Sequence, residues 1–525
     1  MDKYKLKILI RGVNWIGDAV ITIPAVRSIR RAFPDAHISL LVKPWVSEIF
    51  KESPDIDELI LYDDRFKGYM GRLKLAKKLR EKEFDKAILL QNAFDAALIS
   101  WLSGIRERIG YKRDGRGFLL TKAVPVEDDV RDQHQVYYYL HLLKSAGIEP
   151  ADSQPYLYLT DNERLSARNL LTARFSSETG PLIGINPGAT FGSAKRWPPE
   201  RFAELILKVV SDLNGRVVIF GSPSEVEIAD DIITEINRLK IRMKIENIGS
   251  RILVMAGKTN LRALAALISE CDVFVTNDSG PMHMASALLV PIVAIFGSTD
   301  KRATGPFGEG HRIITKDLPC APCMKRECPE GHLNCMTAVT ADEVFEAVSE
   351  ILPVTKAVFL DKDGTLIEDK HYLNSFDNLV ILRGTKAGLK KLKEAGYKLI
   401  GITNQSGIAR GIVDREFVKQ SNEYLEKELG IDDFYYCPHH PDERCSCRKP
   451  EPLLVLKARN THRINLKYSY VIGDRESDVL LAGKTGVTSI LLSPTPLFEK
   501  TGASYIAKDL NDAVEWILTR EKSWP

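Results

Sequence analysis

Short apolar runs alternate with amphipathic stretches along most of this chain. Leu6–Ile10, Ile38–Val42, Pro181–Asn186, Arg216–Phe220, Ala357–Leu360, Lys398–Ile402 and Tyr470–Ile472 have the length and branched-residue content of buried strands. Between them the period changes. A helix is expected from about Asp18 to Phe33. Phe202, Leu205, Ile206, Val209, Val210 and Leu213 recur at helical spacing, with Pro198 near the start and Gly215 past the end. Strands alternating with helices predict an α/β protein with parallel sheets.

The chain has 525 residues, too many for one core, and length alone suggests about three domains. The pattern divides it into two Rossmann-like lobes, residues 1–170 and 171–352, and a third α/β domain over 356–525. Composition adds little: 44% hydrophobic, 27% charged and net charge +3, with no basic run that would suit nucleic acid. No apolar stretch approaches the roughly 18 residues of a membrane span. The opening residues lack the organisation of a signal peptide, so a cytoplasmic location is expected. Seven of the eight cysteines fall in two tight clusters, which in a reducing compartment points to metal before disulfides.

Three loops of the first two lobes lie at the ends of expected strands, where open α/β sheets hold ligands. They are Gly12–Asp18, Asn186–Trp197 and Thr276–His283. Their glycines allow close backbone approach. Asp18 offers a carboxylate at a helix start, Lys195 a mobile positive charge, and Pro281 opens a helix whose N–H groups suit a diphosphate. The stretches Asn14-Trp-Ile-Gly-Asp18, Pro187-Gly-Ala-Thr-Phe-Gly-Ser-Ala-Lys-Arg-Trp197 and Asn277-Asp-Ser-Gly-Pro-Met-His283 resemble the lipopolysaccharide heptosyltransferases, of the heptosyltransferase II type. That resemblance implies a two-lobed GT-B fold and inverting, metal-free transfer of heptose from ADP-heptose to the lipid-anchored lipopolysaccharide inner core. Peripheral contact with the inner face of the inner membrane would follow. Carried over by position, Asp18 would be the general base and Lys195 would stabilise the leaving diphosphate. Asp278, Ser279 and Gly280 would line the donor pocket, assisted by Thr190 and His283, and Glu225 would hold the ribose.

After residue 356, four stretches fit one phosphoryl-transfer site. Asp361 and Asp363, two apart at a strand end, point the same way. Asp361 would attack phosphorus; Asp363 would protonate the leaving oxygen and then activate water. Thr403 and Asn404 offer a hydroxyl and an amide to phosphate oxygens, Arg448 and Lys449 offer positive charge, and Asp474 would join Asp361 and Asp363 around Mg2+, with Asp478, four residues on, as a further source of oxygen ligands. Between them Cys437, His439, Cys445 and Cys447 form a zinc-type set of structural kind, with His440 as the alternative ligand. The set resembles the HAD-like phosphatases. Asn404–Gly411 and His371-Tyr-Leu narrow the resemblance to D-glycero-D-manno-heptose 1,7-bisphosphate phosphatases, which implies hydrolysis of that heptose bisphosphate at C7. Only five residues separate His439 from Cys445, a short loop similar to that of histidinol-phosphate phosphatases, so histidinol phosphate or another small phosphate ester is the alternative substrate. A second cluster, Cys320-x2-Cys323-x4-Cys328-x6-Cys335, is either a further metal site or a loop of reduced thiols.

Overall fold

A computed structural model describes residues 5–176, 178–243, 248–493 and 501–521. The chain divides into two compact units, Met1–Leu352 and Pro353–Pro525. The first holds two six-stranded parallel sheets. One is formed by β1 (Lys7–Arg11), β2 (His37–Val42), β3 (Glu58–Leu61), β4 (Lys86–Leu89), β5 (Glu107–Tyr111) and β6 (Lys122–Val124). The other contains β7 (Leu182–Asn186), β8 (Arg216–Ile219), β9 (Ile252–Val254), β10 (Val273–Asn277), β11 (Ile292–Phe296) and β12 (Arg312–Thr315). The second unit has β13 (Ala357–Leu360), β14 (Lys398–Asn404), β15 (Asp433–Cys437), β16 (Tyr470–Gly473), β17 (Thr488–Leu492) and β18 (Tyr505–Ala507).

All three sheets share one weave. The orders are β3-β2-β1-β4-β5-β6, β12-β11-β10-β7-β8-β9 and β15-β14-β13-β16-β17-β18, so in each the first strand of the sheet lies beside the fourth. Connections leave in opposite directions from that pair, which opens a crevice at the strands' carboxyl ends. Helices cover the sheets, and the central strands are buried along their whole length: β7, β10 and β11 expose no residue. That is why they read as unbroken apolar runs.

Two expectations are corrected here. The helix expected from Asp18 to Phe33 is two helices, Ile16–Ile21 and Ile23–Ala32, hinged at Thr22. Pro24 has no N–H to bond back to Val20, and the Thr22 hydroxyl donates instead to the Ala19 carbonyl at 2.8 Å. The lobe boundary expected after residue 170 falls inside the helix Asp161–Arg174, whose start is fixed by a capping box between Thr160 and Glu163.

Candidate active sites

The first site forms where loops of two sheets meet. After β1, Trp15 caps the helix Ile16–Ile21, so Asp18 lies in its first turn and not at the cap. A carboxylate there complements the helix's positive end. This helix packs against a second one, Gly280–Ala287, through small residues. A Cβ on Gly17 would come within 2.7 Å of His283 Cδ2, and one on Gly280 within 3.3 Å of Ile16. Glycine at both positions lets the two helix starts close on each other.

β10 delivers Asn277 and Asp278 to the same place. Lys195, on the turn Ser193–Lys195, forms an ion pair with Asp278. Thr299, just beyond β11, donates its hydroxyl to the same carboxylate oxygen at 2.7 Å. Asn277 ties the loops together: its amide donates to the Pro187 carbonyl at 2.7 Å and its oxygen accepts from Trp197 N at 3.2 Å. Lys195 is therefore not the mobile charge expected from sequence. It is held, 12% exposed, because Asp278 neutralises it.

Burial, reinforced by the neighbouring Asp278, pushes the Asp18 carboxyl up to about 6, against the opposing pull of Lys195. Burial also brings the His283 imidazole down to about 4, so it is neutral at pH 7. Ser279 caps the second helix backbone-first, its hydroxyl beside Thr276 Oγ1 at 3.1 Å and accepting from Asn186 Nδ2 at 3.3 Å. Thr190 is exposed on the loop before Lys195. Glu225 is buried: it accepts from Ser222 N at 2.8 Å, and a Cβ on Gly188 would stand 2.0 Å from its other oxygen. Its carboxylate thus faces the Gly188 loop.

The second site uses only the third sheet, at its own crevice between β13 and β16. Asp361, Asp474 and Asp478 bring carboxylate oxygens within 4.8 Å of one another. Lys449, 3% exposed, reaches Asp361 and Asp478 at 2.7 Å each. Asp363 was expected to join Asp361 and Asp474 around a cation, but its carboxylate turns aside and accepts from Gln405 Nε2 at 2.9 Å. The third carboxylate of the group is Asp478. Burial raises the Asp363 carboxyl above its usual range and pushes Asp474 up to about 6, Asp361 adding to both. The buried Asp474 Oδ1 has no hydrogen-bond partner among the described residues. An orphaned anionic oxygen within a carboxylate group fits a hard divalent cation such as Mg2+. Gly364, at φ +83°, makes room for this arrangement, since a Cβ there would lie 2.3 Å from Asp474 Oδ2.

Thr403 is buried and accepts from Gln405 at 3.0 Å. Asn404 does not turn its amide to a phosphate, as expected; both its ends are taken by the Lys449 backbone. Its Nδ2 donates to the Lys449 carbonyl at 3.3 Å and its Oδ1 accepts from Lys449 N at 3.0 Å. Asn404 therefore positions the lysine loop. Arg448 is half-buried, with Nη1 unpartnered among the described residues.

Cys437, His439, Cys445 and Cys447 gather their ligand atoms within 4.8 Å. Cys445 Sγ lies 3.5 Å from the sulfurs of Cys437 and Cys447, and His439 Nδ1 lies 3.1 Å from Cys447 Sγ. A tetrahedral ion with bonds of about 2.3 Å needs sulfurs roughly 3.8 Å apart. The set fits zinc and is too open for a disulfide. His440 lies outside it, its Nδ1 accepting from Asp442 N at 3.3 Å.

Four supporting residues were missed in the sequence. Thr299 follows the apolar run Ile292–Phe296, the same strand-end signal that marked the other loops. Asn277 and Gln405 adjoin residues already selected. Lys362 lies between the two aspartates, and its buried ammonium donates to Ser421 Oγ at 2.9 Å and Asn422 Oδ1 at 3.1 Å, anchoring their loop.

The chain matches the family model for glycosyltransferase family 9 (heptosyltransferase) over residues 72–334, and a HAD-hydrolase-like model over residues 446–513. It is 31% identical over 353 residues to lipopolysaccharide heptosyltransferase 2 of Salmonella typhimurium, covering 66% of this chain and 99% of that protein. Over 175 residues it is 42% identical to D-glycero-beta-D-manno-heptose-1,7-bisphosphate 7-phosphatase of Helicobacter pylori, covering 32% of this chain and 99% of that one. The structure of the Escherichia coli ADP-heptose lipopolysaccharide heptosyltransferase II superposes with a TM-score of 0.55 at 29% identity, over 66% of this chain and 98% of its own. Two complete relatives thus lie end to end, and the chain belongs to glycosyltransferase family 9, the heptosyltransferases, joined to a phosphatase of the HAD-like heptose bisphosphate kind.

Proposed function

We propose that this chain is a bifunctional enzyme of lipopolysaccharide core synthesis. It transfers heptose from ADP-heptose to the lipid-anchored inner core and hydrolyses D-glycero-D-manno-heptose 1,7-bisphosphate at C7, yielding heptose 1-phosphate. The observation that carries the transferase reading is Asp18 at a helix start, close enough to the Lys195–Asp278 pair to feel both charges.

In transfer, Asp18 accepts the proton of the acceptor hydroxyl as that oxygen attacks the anomeric carbon from the face opposite the leaving group, inverting it. Lys195 and the N–H groups at the start of Gly280–Ala287 stabilise the departing ADP in place of a metal. His283, neutral, contacts the donor sugar; Thr190, Ser279 and Gly280 border the diphosphate, and Glu225 the ribose. The acceptor's lipid anchor brings this unit to the inner face of the inner membrane. Among the described residues no helix is long and apolar enough to cross it.

In hydrolysis, Asp361 attacks phosphorus and forms an aspartyl phosphate, while Asp363 gives its proton to the leaving O7. Asp363 then takes a proton from the water that displaces Asp361 and releases phosphate. Lys449 and Arg448 draw the phosphate oxygens in, and Thr403 borders them. Asp361, Asp474 and Asp478 would hold Mg2+, which supplies charge neutralisation for the phosphoryl oxygens. Zinc at Cys437, His439, Cys445 and Cys447 would fix the loop that leads into Arg448 and Lys449. The test is turnover of purified protein on heptose 1,7-bisphosphate against histidinol phosphate, with the released phosphate assigned by NMR, alongside heptosyl transfer to a core acceptor. Preference for histidinol phosphate would overturn the phosphatase assignment.

A further inference from the structure

Four cysteines outside both sites converge on one small cavity. Cys320, Cys323, Cys328 and Cys335, with His332 and Ala194, border a space of about 20 Å3. That is room for a single water-sized or ion-sized sphere. None of the four is in a disulfide. The chain curls tightly around Cys328, Gly331 N donating to the Cys328 carbonyl at 3.2 Å. Gly331, at φ +70°, permits the curl. One further feature points to a ligand in the cavity. Ser298, 1% exposed and on the cavity wall, has a hydroxyl with no hydrogen-bond partner among the described residues. A buried hydroxyl left unpaired is costly, and a metal-bound sulfur would accept from it.

The loop carrying these thiols packs on the turn that carries Lys195. Met324 N donates to the Ser298 carbonyl at 2.7 Å, and Ala194 N donates to the Arg326 carbonyl at 3.0 Å. The Arg326 guanidinium lies 5.4 Å from the centre of the Phe191 ring. A Cβ on Gly192 would stand 2.2 Å from the Arg326 carbonyl oxygen, so contact is as close as backbone allows.

We propose that Cys320, Cys323, Cys328 and Cys335 bind one zinc ion as four thiolates, and that the ion clamps their loop onto the Gly192–Lys195 turn. Four soft ligands suit zinc in a closed structural site. Four S–H protons are released as four Zn–S bonds form, and nothing is oxidised or reduced. The sulfurs stand further apart than the ligand atoms of the Cys437 cluster, which lie within 4.8 Å of one another. Binding therefore draws them inward and stiffens the loop. The clamp rests on the reading of Lys195 as counter-ion to the donor diphosphate; the ion itself does not.

The full-length protein, loaded with zinc and desalted under reducing conditions, is measured by elemental mass spectrometry. Two zinc ions per chain are expected, falling to one in a Cys323→Ser, Cys328→Ser double variant whose phosphatase activity is unchanged. One zinc in both proteins would overturn the site. Independently of any variant, peptide-mapped alkylation is expected to spare Cys320, Cys323 and Cys328 in the zinc-loaded protein and to modify them after chelation. Equal modification in both states, or a disulfide among them, would also overturn it. In the one-zinc variant, affinity for ADP by calorimetry is expected to weaken about tenfold, the size of effect typical of a lost supporting shell. Unchanged affinity would overturn the clamp. If neither protein binds ADP, the donor reading fails instead, while the metal count still decides the ion.

Discussion

Two lysines sit among carboxylates in this chain, and the charge around them is balanced differently. Lys195 faces Asp278, with Asp18 nearby, so two carboxylates meet one ammonium. Lys449 faces Asp361 and Asp478, with Asp474 in the same group, so three carboxylates meet one. Two flanking cations offset part of that charge while their hydrogen bonds run elsewhere: Lys362 to Ser421 and Asn422, and Arg475 to Asp369 at 2.7 Å. A surplus of about one negative charge leaves a base able to collect a proton. The larger surplus at the second centre calls for a divalent cation before a phosphate can approach. Both centres stand at the same point of the same strand order, so the weave supplies the place and the loop residues supply the chemistry.

The sharpest way to test this contrast is to remove one carboxylate from each centre. Asp361→Asn is expected to lower phosphatase kcat by about four orders of magnitude or more, as loss of a nucleophile does, with heptosyl transfer unchanged. Loss of both activities would break the picture of independent centres. Asp18→Asn is expected to cost transfer about 10²–10⁴-fold in kcat, the range for a positioned base, and to leave hydrolysis alone. Omitting Mg2+ while zinc stays bound separates the centres by charge: hydrolysis should vanish and return with Mg2+, while transfer retains most of its rate.

Proton dependence sharpens it further. The Asp18 carboxyl, raised to about 6, must be deprotonated to act. Transferase kcat/KM is therefore expected to be flat above about pH 7 and to fall about tenfold per pH unit below 6. An acid limb near 4 would show that Asp18 is not the titrating base. The smallest expected effect is at Thr299. Replacing it by Val removes one hydrogen bond to Asp278, worth roughly 1 kcal/mol or about fivefold in transfer, and Ser should restore it.

Much of each centre was readable in advance because its parts lie in short loops at strand ends, where a few polar residues interrupt an apolar run. Asp18, Lys195, Asp278, Asp361 and Asp474 are read that way, and Lys449 from the basic loop that follows the second cysteine cluster. What sequence could not supply was the partner each group would choose. Asn404 looks like a phosphate ligand until the fold brings the Lys449 backbone against both its ends. Asp363 drops out of the carboxylate group and Asp478 stays in it, because Gln405, just beyond β14, captures the former. Thr299 acts across 21 residues of sequence. The break at Thr22 was visible in Pro24 but was overridden by the strong amphipathic period on either side.

Gly364 carries a consequence of its own. The absent side chain leaves a hole whose wall is Asp474 itself. A single methyl group there would shove that wall outward and shut the ion's berth, silencing hydrolysis without touching a reactive atom. Emptiness, in this corner of the molecule, is a working component.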